Sequence, residues 1–311
     1  MRRVLVALAA LGLLAVSAFP EGSAVGQGRV LYGEWNPNWQ SGDGIDNSVI
    51  AGREKTLGHA LDLVHWYASS DEGYADYDHI MVDAALAQGR TPLVSWGIGV
   101  PLDVSDARLD DWAKGMKAKA PATILVRLFW EFNDPPSNSS AAGWSVCRSG
   151  RSPAQLVSTW QHVVNRFRAD GATNVKWVWN PDGTLGSQMY GSSCGSLGAA
   201  YPGDAYVDYR GFDSYGYPNQ AQYDAENAQT GSSRPMLLGE TGAHDGSSGP
   251  PWVNDLSSRL NGIHMPEVAA VVWFNEDDTA FSGNPQTQAA VRAMLSTAAF
   301  SPAAAPPSSK P

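Results

Sequence analysis

Residues 123–131 read TILVRLFWE, a run of β-branched, apolar and aromatic residues that closes on a glutamate. Such a run predicts a β-strand. Residues 107–120 before it and residues 153–168 after it have helical character, and Ser152-Pro153 supplies a favourable N-cap and first helical residue for the second helix. This part of the chain therefore predicts a strand that is followed by a crossover helix.

Seven further runs of strand-forming residues repeat this unit along the chain. Strict alternation of strands with helical or long segments predicts parallel pairing, and eight parallel strands close a (β/α)8 TIM barrel, which is an α/β fold. A doubly wound open sheet is the competing fold, but no glycine-rich phosphate turn follows the first run. The runs are residues 30–35 (VLYGEW), 61–67 (LDLVHWY), 91–96 (TPLVSW), 174–180 (NVKWVWN), 207–215 (VDYRGFDSY), 234–240 (RPMLLGE) and 268–275 (VAAVVWFN).

The two ends of the chain differ from the barrel in composition. Residues 1–24 contain Arg2 and Arg3, then a short apolar run and small residues, which is typical of a secretory signal peptide. Cleavage after Ala18 or Ala24 would leave residues 25–300 as one catalytic domain of an extracellular protein; an uncleaved membrane anchor is the alternative. Residues 301–311 (SPAAAPPSSKP) predict a disordered tail.

The charge and composition restrict the class of partner. The formal net charge of −10 argues against nucleic acid and anionic membranes. Charged residues are few while Trp, Tyr and Gly are plentiful, and such a surface favours uncharged, hydroxyl-rich ligands. We expect a monomer, and no motif predicts a metal, flavin or nucleotide cofactor.

Two of the predicted strands end in a glutamate. Glu131 closes the fourth strand and Glu240 closes the seventh. The carboxyl ends of TIM-barrel strands form the active-site face, so both carboxylates are expected there. Cleavage of a glycosidic bond needs such a pair, one carboxyl protonated and the other ionised. The pair predicts a glycoside hydrolase, with the two carboxyl carbons about 5–5.5 Å apart if the anomeric configuration is retained.

Three further residues are expected to support the two glutamates. Side chains alternate along a strand, so Arg127, Phe129 and Glu131 are expected on one side of the fourth strand, with Arg127 below Glu131. A buried guanidinium has to be paired, so Arg127 should contact a carboxylate of the site. In the sixth strand Asp213 is a second carboxylate, and the Tyr215 hydroxyl is a candidate hydrogen-bond donor to Glu240.

Aromatic residues fall at or near the ends of several predicted strands. Sugar rings stack their C–H faces on aromatic faces, while polar rims bind their hydroxyls. We expect at least three of these aromatic residues to line a cleft. The residues predicted to bind substrate are Trp35, Trp66, Trp96, Trp130, Asn133, Tyr215 and Trp273.

The chain has two cysteines, Cys147 and Cys194. In an exported protein an even pair predicts a disulfide, here between the loops after the fourth and fifth strands; two unpaired thiols are the alternative.

The motifs resemble those of glycoside hydrolase family 26. The similarity spans nearly the whole chain after its leader, and YPGD followed by Y-V-D and G-F-D-x-Y is the most specific block. The matching stretches are residues 61–67, 92–96, 127–133, 201–215 (YPGDAYVDYRGFDSY), 234–242 and 271–275.

The resemblance implies roles for individual residues. Glu131 would be the general acid/base and Glu240 the nucleophile of a retaining enzyme, with Tyr215 holding Glu240 and Trp273 beside the sugar at the cleavage point. Members act mostly on β-mannans, and some act on β-1,3-xylan or mixed-linkage β-glucan.

Two positions depart from the mannanases of that family. This chain has Trp130 and Gly97 where those enzymes usually carry the histidines that lie near the sugar. The glycan is therefore open between β-mannan, β-glucan and β-xylan for an endo-acting enzyme. An envelope polysaccharide or exopolysaccharide as substrate, and a non-catalytic glycan-binding barrel, are the alternatives.

Overall fold

The computed structural model describes residues 29–41, 44–69, 73–74, 78–134, 144–146, 150–183, 195–215, 220–243, 249–276, 280 and 284–301. The predicted signal peptide and almost all of the predicted tail lie outside these residues. In the part that is described, no helix is long and apolar enough to cross a bilayer.

Eight strands close into a parallel barrel, which confirms the predicted fold class. Each strand pairs in parallel with the next one along the chain, and the last pairs with the first. A short antiparallel pair, Gln40–Ser41 with Gly44–Ile45, follows the first strand. The barrel strands are β1 Leu31–Trp35, β2 Leu63–Ser69, β3 Thr91–Gly97, β4 Ile124–Leu128, β5 Val175–Trp179, β6 Tyr209–Tyr215, β7 Met236–Gly242 and β8 Val268–Phe274.

Within the described residues an α-helix follows every barrel strand except β5, after which a short 3-10 helix, Leu197–Ala200, is found. Another 3-10 turn, Pro37–Trp39, follows β1. The α-helices are α1 Asn47–Leu57, α2 Asp78–Ala87, α3 Asp106–Lys117, α4 Pro153–Ala169, α5 Gln220–Thr230, α6 Gly249–Asn261 and α7 Pro285–Leu295.

The start of α4 shows how local sequence sets an element. The Ser152 side chain accepts a hydrogen bond from the Gln155 backbone, and the Gln155 side chain accepts one from the Ser152 backbone, which completes a capping box around Pro153. This arrangement satisfies two backbone N–H groups that the helix itself leaves without a partner. The predicted N-cap is confirmed.

The core has an inner layer inside the barrel and outer layers between strands and helices. Leu63, Leu93 and Leu125 begin the inner faces of β2, β3 and β4 and form one apolar cluster with Leu237 and Val272. Because side chains alternate along a strand, the next inward residues on β2, β3 and β4 lie two positions later. They are His65, Ser95 and Arg127, which form a buried polar layer above the apolar one.

The end of β4 differs from the prediction. The strand was expected to run to Glu131, but it ends at Leu128, and both Phe129 and Glu131 have a φ of 53°. This left-handed backbone ends the alternation of side chains. Phe129 therefore packs against Trp160 of α4 in the outer layer, and the prediction that it shares a side with Arg127 and Glu131 was wrong.

Candidate active site

Three carboxylates meet at the carboxyl ends of the strands. Glu131 follows β4, Asp213 lies in β6 and Glu240 lies in β7, and one oxygen of each lies within 4.8 Å of an oxygen of the other two. Among the described residues this is the group whose spacing would suit a cation. The Arg127 guanidinium already bonds two of the three, so the positive charge there is supplied by the protein.

Glu240 accepts hydrogen bonds at both carboxylate oxygens. Oε1 accepts from the Tyr67 hydroxyl at 2.6 Å and from Arg127, and Oε2 accepts from the Tyr215 hydroxyl at 2.6 Å. Burial and the neighbouring Glu240 raise the pKa of both tyrosines well above the usual value, so both keep the proton that they donate. The three donors hold the Glu240 carboxylate in one orientation.

A β-bulge in β7 aims Glu240 into the barrel. Leu238 pairs with Phe212 of β6, and the next pair is Glu240 with Asp213, so Gly239 is an extra residue in β7. A β-carbon at Gly239 would lie 2.1 Å from Asn180 Oδ1 and 2.9 Å from an Arg127 nitrogen. Glycine is required here because the polar layer packs directly against this backbone.

Arg127 connects the carboxylates to the interior of the barrel. Its fully buried guanidinium donates to Asp213 Oδ1 at 2.8 Å, to Glu240, and through Nε to Ser95 Oγ at 2.8 Å. Burial alone would lower the pKa of Arg127, but the charges of Asp213 and Glu240 outweigh burial and raise it. The expectation that Arg127 contacts a carboxylate of the site is confirmed.

Glu131 has a different environment from Glu240. Its backbone N–H donates to Asn180 at 2.9 Å, and no described residue donates a hydrogen bond to its carboxylate. Burial raises the pKa of Glu131 well above the usual carboxyl range, and the charges of Asp213 and Glu240 raise it further. Both effects favour the protonated form of Glu131.

Asp213 is buried between these two glutamates. Its Oδ1 accepts from Arg127 and from Asn180 Nδ2, both at 2.8 Å, while Oδ2 has no hydrogen-bond partner among the described residues. Burial raises the pKa of Asp213 well above its usual value, and Arg127 offsets only part of that effect. The residue links Arg127 to the strand-end loop that carries Asn180.

Five aromatic side chains form a continuous wall beside Glu240, here called the aromatic wall. Trp130 contacts Tyr67 at a ring-centroid distance of 5.2 Å, and Tyr67 meets the edge of Trp35 at 5.7 Å. Trp35 stacks on Phe274 at 4.4 Å, and Phe274 contacts Tyr215 at 5.9 Å. Three of the predicted substrate-binding residues, Trp35, Trp130 and Tyr215, belong to this wall.

Three tryptophans predicted to bind substrate do not lie in the cleft. Trp66, Trp96 and Trp273 are fully buried in the outer layers. Trp96 stacks on Trp112 of α3 at 4.4 Å, and Trp273 meets Trp252 of α6 at 5.9 Å. Their strand positions point away from the barrel axis, so these predictions, and the implied place of Trp273 beside the sugar, were wrong.

Asn133 is also not a cleft residue. Its fully buried amide donates to the Asp182 carbonyl at 2.9 Å and accepts from the Asp182 N–H at 2.7 Å. It therefore ties the loop after β4 to the loop after β5, and the prediction that it binds substrate was wrong.

Two residues of the aromatic wall were not predicted from the sequence, and each is the chain neighbour of a tryptophan that was predicted in its place. Tyr67 follows Trp66 and Phe274 follows Trp273, and both belong to the aromatic wall. A usable signal was present in β2, where the polar residues His65 and Tyr67 share the same alternation within an otherwise apolar run.

Trp144 lies against the position where the chain departs from the mannanases. A β-carbon at Gly97 would lie 2.2 Å from the Trp144 ring. Trp144 contacts Trp130 at a centroid distance of 4.5 Å and donates from its indole nitrogen to the Trp130 carbonyl at 2.6 Å. The absent side chain at Gly97 thus makes room for an extension of the aromatic wall. Cys147 and Cys194, and so the predicted disulfide, lie outside the described residues.

Comparison with known proteins shows relatives among polysaccharide hydrolases. The chain is 25% identical over 294 residues to endoglucanase H of Acetivibrio thermocellus, a match that covers 85% of this chain and 31% of the relative, so the chain spans about a third of that protein. A search of protein-family profiles finds no match.

Solved structures share the fold at lower identity. A β-mannanase from a symbiotic protist of the termite Reticulitermes speratus, in complex with a gluco-manno-oligosaccharide, has a TM-score of 0.61 at 14% identity and 87% coverage of each chain. The glycoside hydrolase family 26 domain of an endo-β-mannanase/endo-β-glucanase from Prevotella bryantii has a TM-score of 0.59 at 15% identity, with coverage of 88% of this chain and 91% of that one. The resemblance to family 26 is confirmed at the level of the fold.

Proposed function

We propose that this chain is a retaining, endo-acting β-glycoside hydrolase of the family 26 type, with Glu131 as general acid/base and Glu240 as nucleophile. The observation that carries the proposal is the contrast between two neighbouring glutamates. Glu240 accepts hydrogen bonds from three side-chain donors, whereas burial and adjacent carboxylates raise the pKa of Glu131.

The spacing of the pair supports retention of configuration. Oxygens of the two glutamates lie within 4.8 Å of each other. A retaining pair has its carboxyl groups roughly 5–5.5 Å apart, and an inverting pair roughly 6.5–9.5 Å apart because a water molecule has to fit between the sugar and the base. The 4.8 Å limit joins the nearest oxygens rather than the carboxyl carbons, and it allows direct attack by one carboxylate.

In the first step Glu131 donates its proton to the glycosidic oxygen while a Glu240 oxygen attacks the anomeric carbon. The bond from that carbon to the leaving oxygen breaks, and a covalent glycosyl ester forms. In the second step the Glu131 carboxylate takes a proton from water, and the resulting nucleophile attacks the anomeric carbon. The ester bond breaks, which restores ionised Glu240 and protonated Glu131.

The substrate class is a β-linked polysaccharide. The aromatic wall offers flat apolar faces for sugar rings, and the relatives include a mannanase seen with a gluco-manno-oligosaccharide and an endoglucanase. The N-terminal pattern of residues 1–24 supports export, as expected of an enzyme whose polymeric substrate lies outside the cell.

Release of reducing sugar from a panel of β-mannan, mixed-linkage β-glucan and β-1,3-xylan tests the proposal. The wild-type chain should degrade at least one polymer, and NMR of fresh product should show the β-anomer first. Glu240→Gln should abolish turnover, whereas Glu226→Gln, an equally buried glutamate on α5, should keep it. Binding without turnover by the wild type would instead favour a glycan-binding barrel.

A further inference from the structure

A buried histidine lies in the barrel interior behind the catalytic carboxylates. His65 is fully buried on β2, and its Nε2 lies 2.6 Å from Ser95 Oγ. Ser95 Oγ in turn accepts a hydrogen bond from Arg127 Nε at 2.8 Å. The chain of contacts therefore runs from His65 through Ser95 and Arg127 to Glu240 and Asp213.

The donors and acceptors of this chain determine where the protons lie. Arginine only donates, so Ser95 Oγ is the acceptor from Arg127, and its own hydrogen is free to point at His65 Nε2. His65 then carries its proton on Nδ1, which has no hydrogen-bond partner among the described residues. The opposite tautomer would leave two groups unsatisfied, the Ser95 hydroxyl hydrogen and the Nδ1 lone pair, and burial makes each costly.

We propose that His65 and Ser95 are positioning residues that orient Arg127, with neutral His65 accepting the Ser95 hydroxyl proton so that the Ser95 oxygen faces the guanidinium. The inference rests on the proposed function, because Arg127 acts there by holding Glu240. All three N–H directions that Arg127 uses are then assigned: Nε to Ser95, and the two terminal nitrogens to Asp213 and Glu240.

The register of the strands makes this orientation a property of the barrel. Ser95 pairs with Tyr67 of β2 on one side and with Arg127 of β4 on the other. Tyr67 is also the second donor to Glu240 Oε1, and its ring lies 4.8 Å from the His65 ring. Displacement of His65 or Ser95 therefore disturbs both donors to that oxygen.

Burial and the charge of Arg127 both favour the neutral form of His65. Burial lowers the pKa of His65 well below its usual value, and the positive charge of Arg127 lowers it further. An imidazolium would place an N–H against Ser95 Oγ and turn the Ser95 hydroxyl away. The neutral ring is thus the form that supports Arg127. The two carboxylates on the other side of the guanidinium, Glu240 and Asp213, pair with the terminal nitrogens of Arg127.

Ser95→Ala and Ser95→Thr form the first matched pair of variants. Ala leaves Arg127 Nε without an acceptor, whereas Thr keeps the hydroxyl. A lost hydrogen bond to a charged group predicts that kcat falls roughly tenfold for Ala on the glycan that the wild type degrades fastest, with KM within about twofold. The pH–rate profile should also change, because Arg127 then holds the Glu240 carboxylate less firmly, and Thr should restore both.

His65→Gln and His65→Met form the second pair, since Gln keeps an acceptor of similar reach and Met does not. Gln should retain more activity than Met. Nitrogen-15 NMR of the wild type, assigned by the signal missing from His65→Gln, should show the Nδ1–H tautomer persisting below pH 6.

Three results would overturn the inference: an Nε2–H tautomer, equal kcat and pH profile in Ser95→Ala and wild type, or a Ser95→Thr variant as impaired as Ala. A wild-type chain that hydrolyses no glycan contradicts the proposed function instead. An active chain whose kcat is unchanged by Ser95→Ala contradicts only the positioning role.

Discussion

The two glutamates of the proposed mechanism, Glu131 and Glu240, have different surroundings. Glu240 accepts hydrogen bonds from two hydroxyl groups and one guanidinium. Glu131 meets apolar burial and the like charges of Asp213 and Glu240, so its proton is retained. Environments that separate the pKa values of two carboxyl groups allow one site to supply both an acid and a nucleophile at the same pH.

The pH dependence of kcat/KM should therefore be a bell. Activity is lost at low pH, because the carboxylate that attacks the sugar has to be ionised. It is lost at high pH as Glu131 ionises, and the raised pKa of Glu131 places this limb above the range of an ordinary carboxyl group. Initial rates across pH measure both limbs. A basic limb at the pKa of an exposed glutamate would contradict the role of Glu131.

Glu131→Ala should lower kcat on a natural glycan by about 10²–10⁴-fold, the usual contribution of general acid–base catalysis. An aryl glycoside with a good leaving group should suffer less, because that group departs without a proton. Azide should partly restore turnover and give a β-glycosyl azide, since a small anion attacks the intermediate without help from a base. An α-azide product would show that the two roles are reversed or that the enzyme inverts.

At the scale of single elements, short irregularities aim the site residues. The bulge at Gly239 turns Glu240 inward, and the left-handed residues after Leu128 carry Glu131 past the end of β4. Without the bulge, the alternation of side chains that places Leu237 inside the barrel would have placed Glu240 outside it. Bulges next to active sites commonly serve this purpose.

Gly239→Ala should reduce kcat by on the order of 10²-fold, because a misplacement near 1 Å in a reacting group can cost that much. The added methyl would meet Asn180 and Arg127, which cannot both move without releasing Asp213 or Glu240. Gly52→Ala in α1 is the matched control for glycine loss, since nothing lies within 4 Å of a β-carbon there and its backbone is helical. Unchanged kcat in Gly239→Ala, with a normal melting temperature, would show that the bulge tolerates a side chain.

At the scale of the whole molecule, the barrel buries carboxyl groups both inside and outside its sheet. Glu226 on α5 is fully buried outside the barrel strands, and burial raises its pKa well above the usual value. One Glu226 oxygen accepts from Gln222 at 3.2 Å, while Oε2 and Gln222 Oε1 have no hydrogen-bond partner among the described residues. A protonated Glu226 carboxyl supplies a hydrogen-bond donor beside these two buried acceptor oxygens.

This burial predicts a pH-dependent stability. Between the unfolded pKa of about 4.3 and the higher folded pKa, the folded state binds more protons than the unfolded state, so the free energy of unfolding falls as pH rises. Glu226→Gln should match the wild type near pH 4 and melt higher near pH 8, where each kcal/mol shifts Tm by about 2–4 °C. Thermal unfolding across pH tests this, with exposed Asp224→Asn as the control; parallel curves for Glu226→Gln and wild type would contradict it.

The sequence alone determined the fold class, the two glutamates and the pairing of Arg127, because alternation of strands with helices and polar residues at strand ends are local patterns. The alternation of His65 with Tyr67 could have distinguished Tyr67 from Trp66, but nothing similar in the sequence separates Trp273 from Phe274. Both faces of a barrel strand are buried, one against the axis and one against helices, so aromatic residues on either face look alike in the sequence. Only the tertiary structure decided which of them face the carboxylates, because bulges, left-handed residues and register act between strands that are distant along the chain.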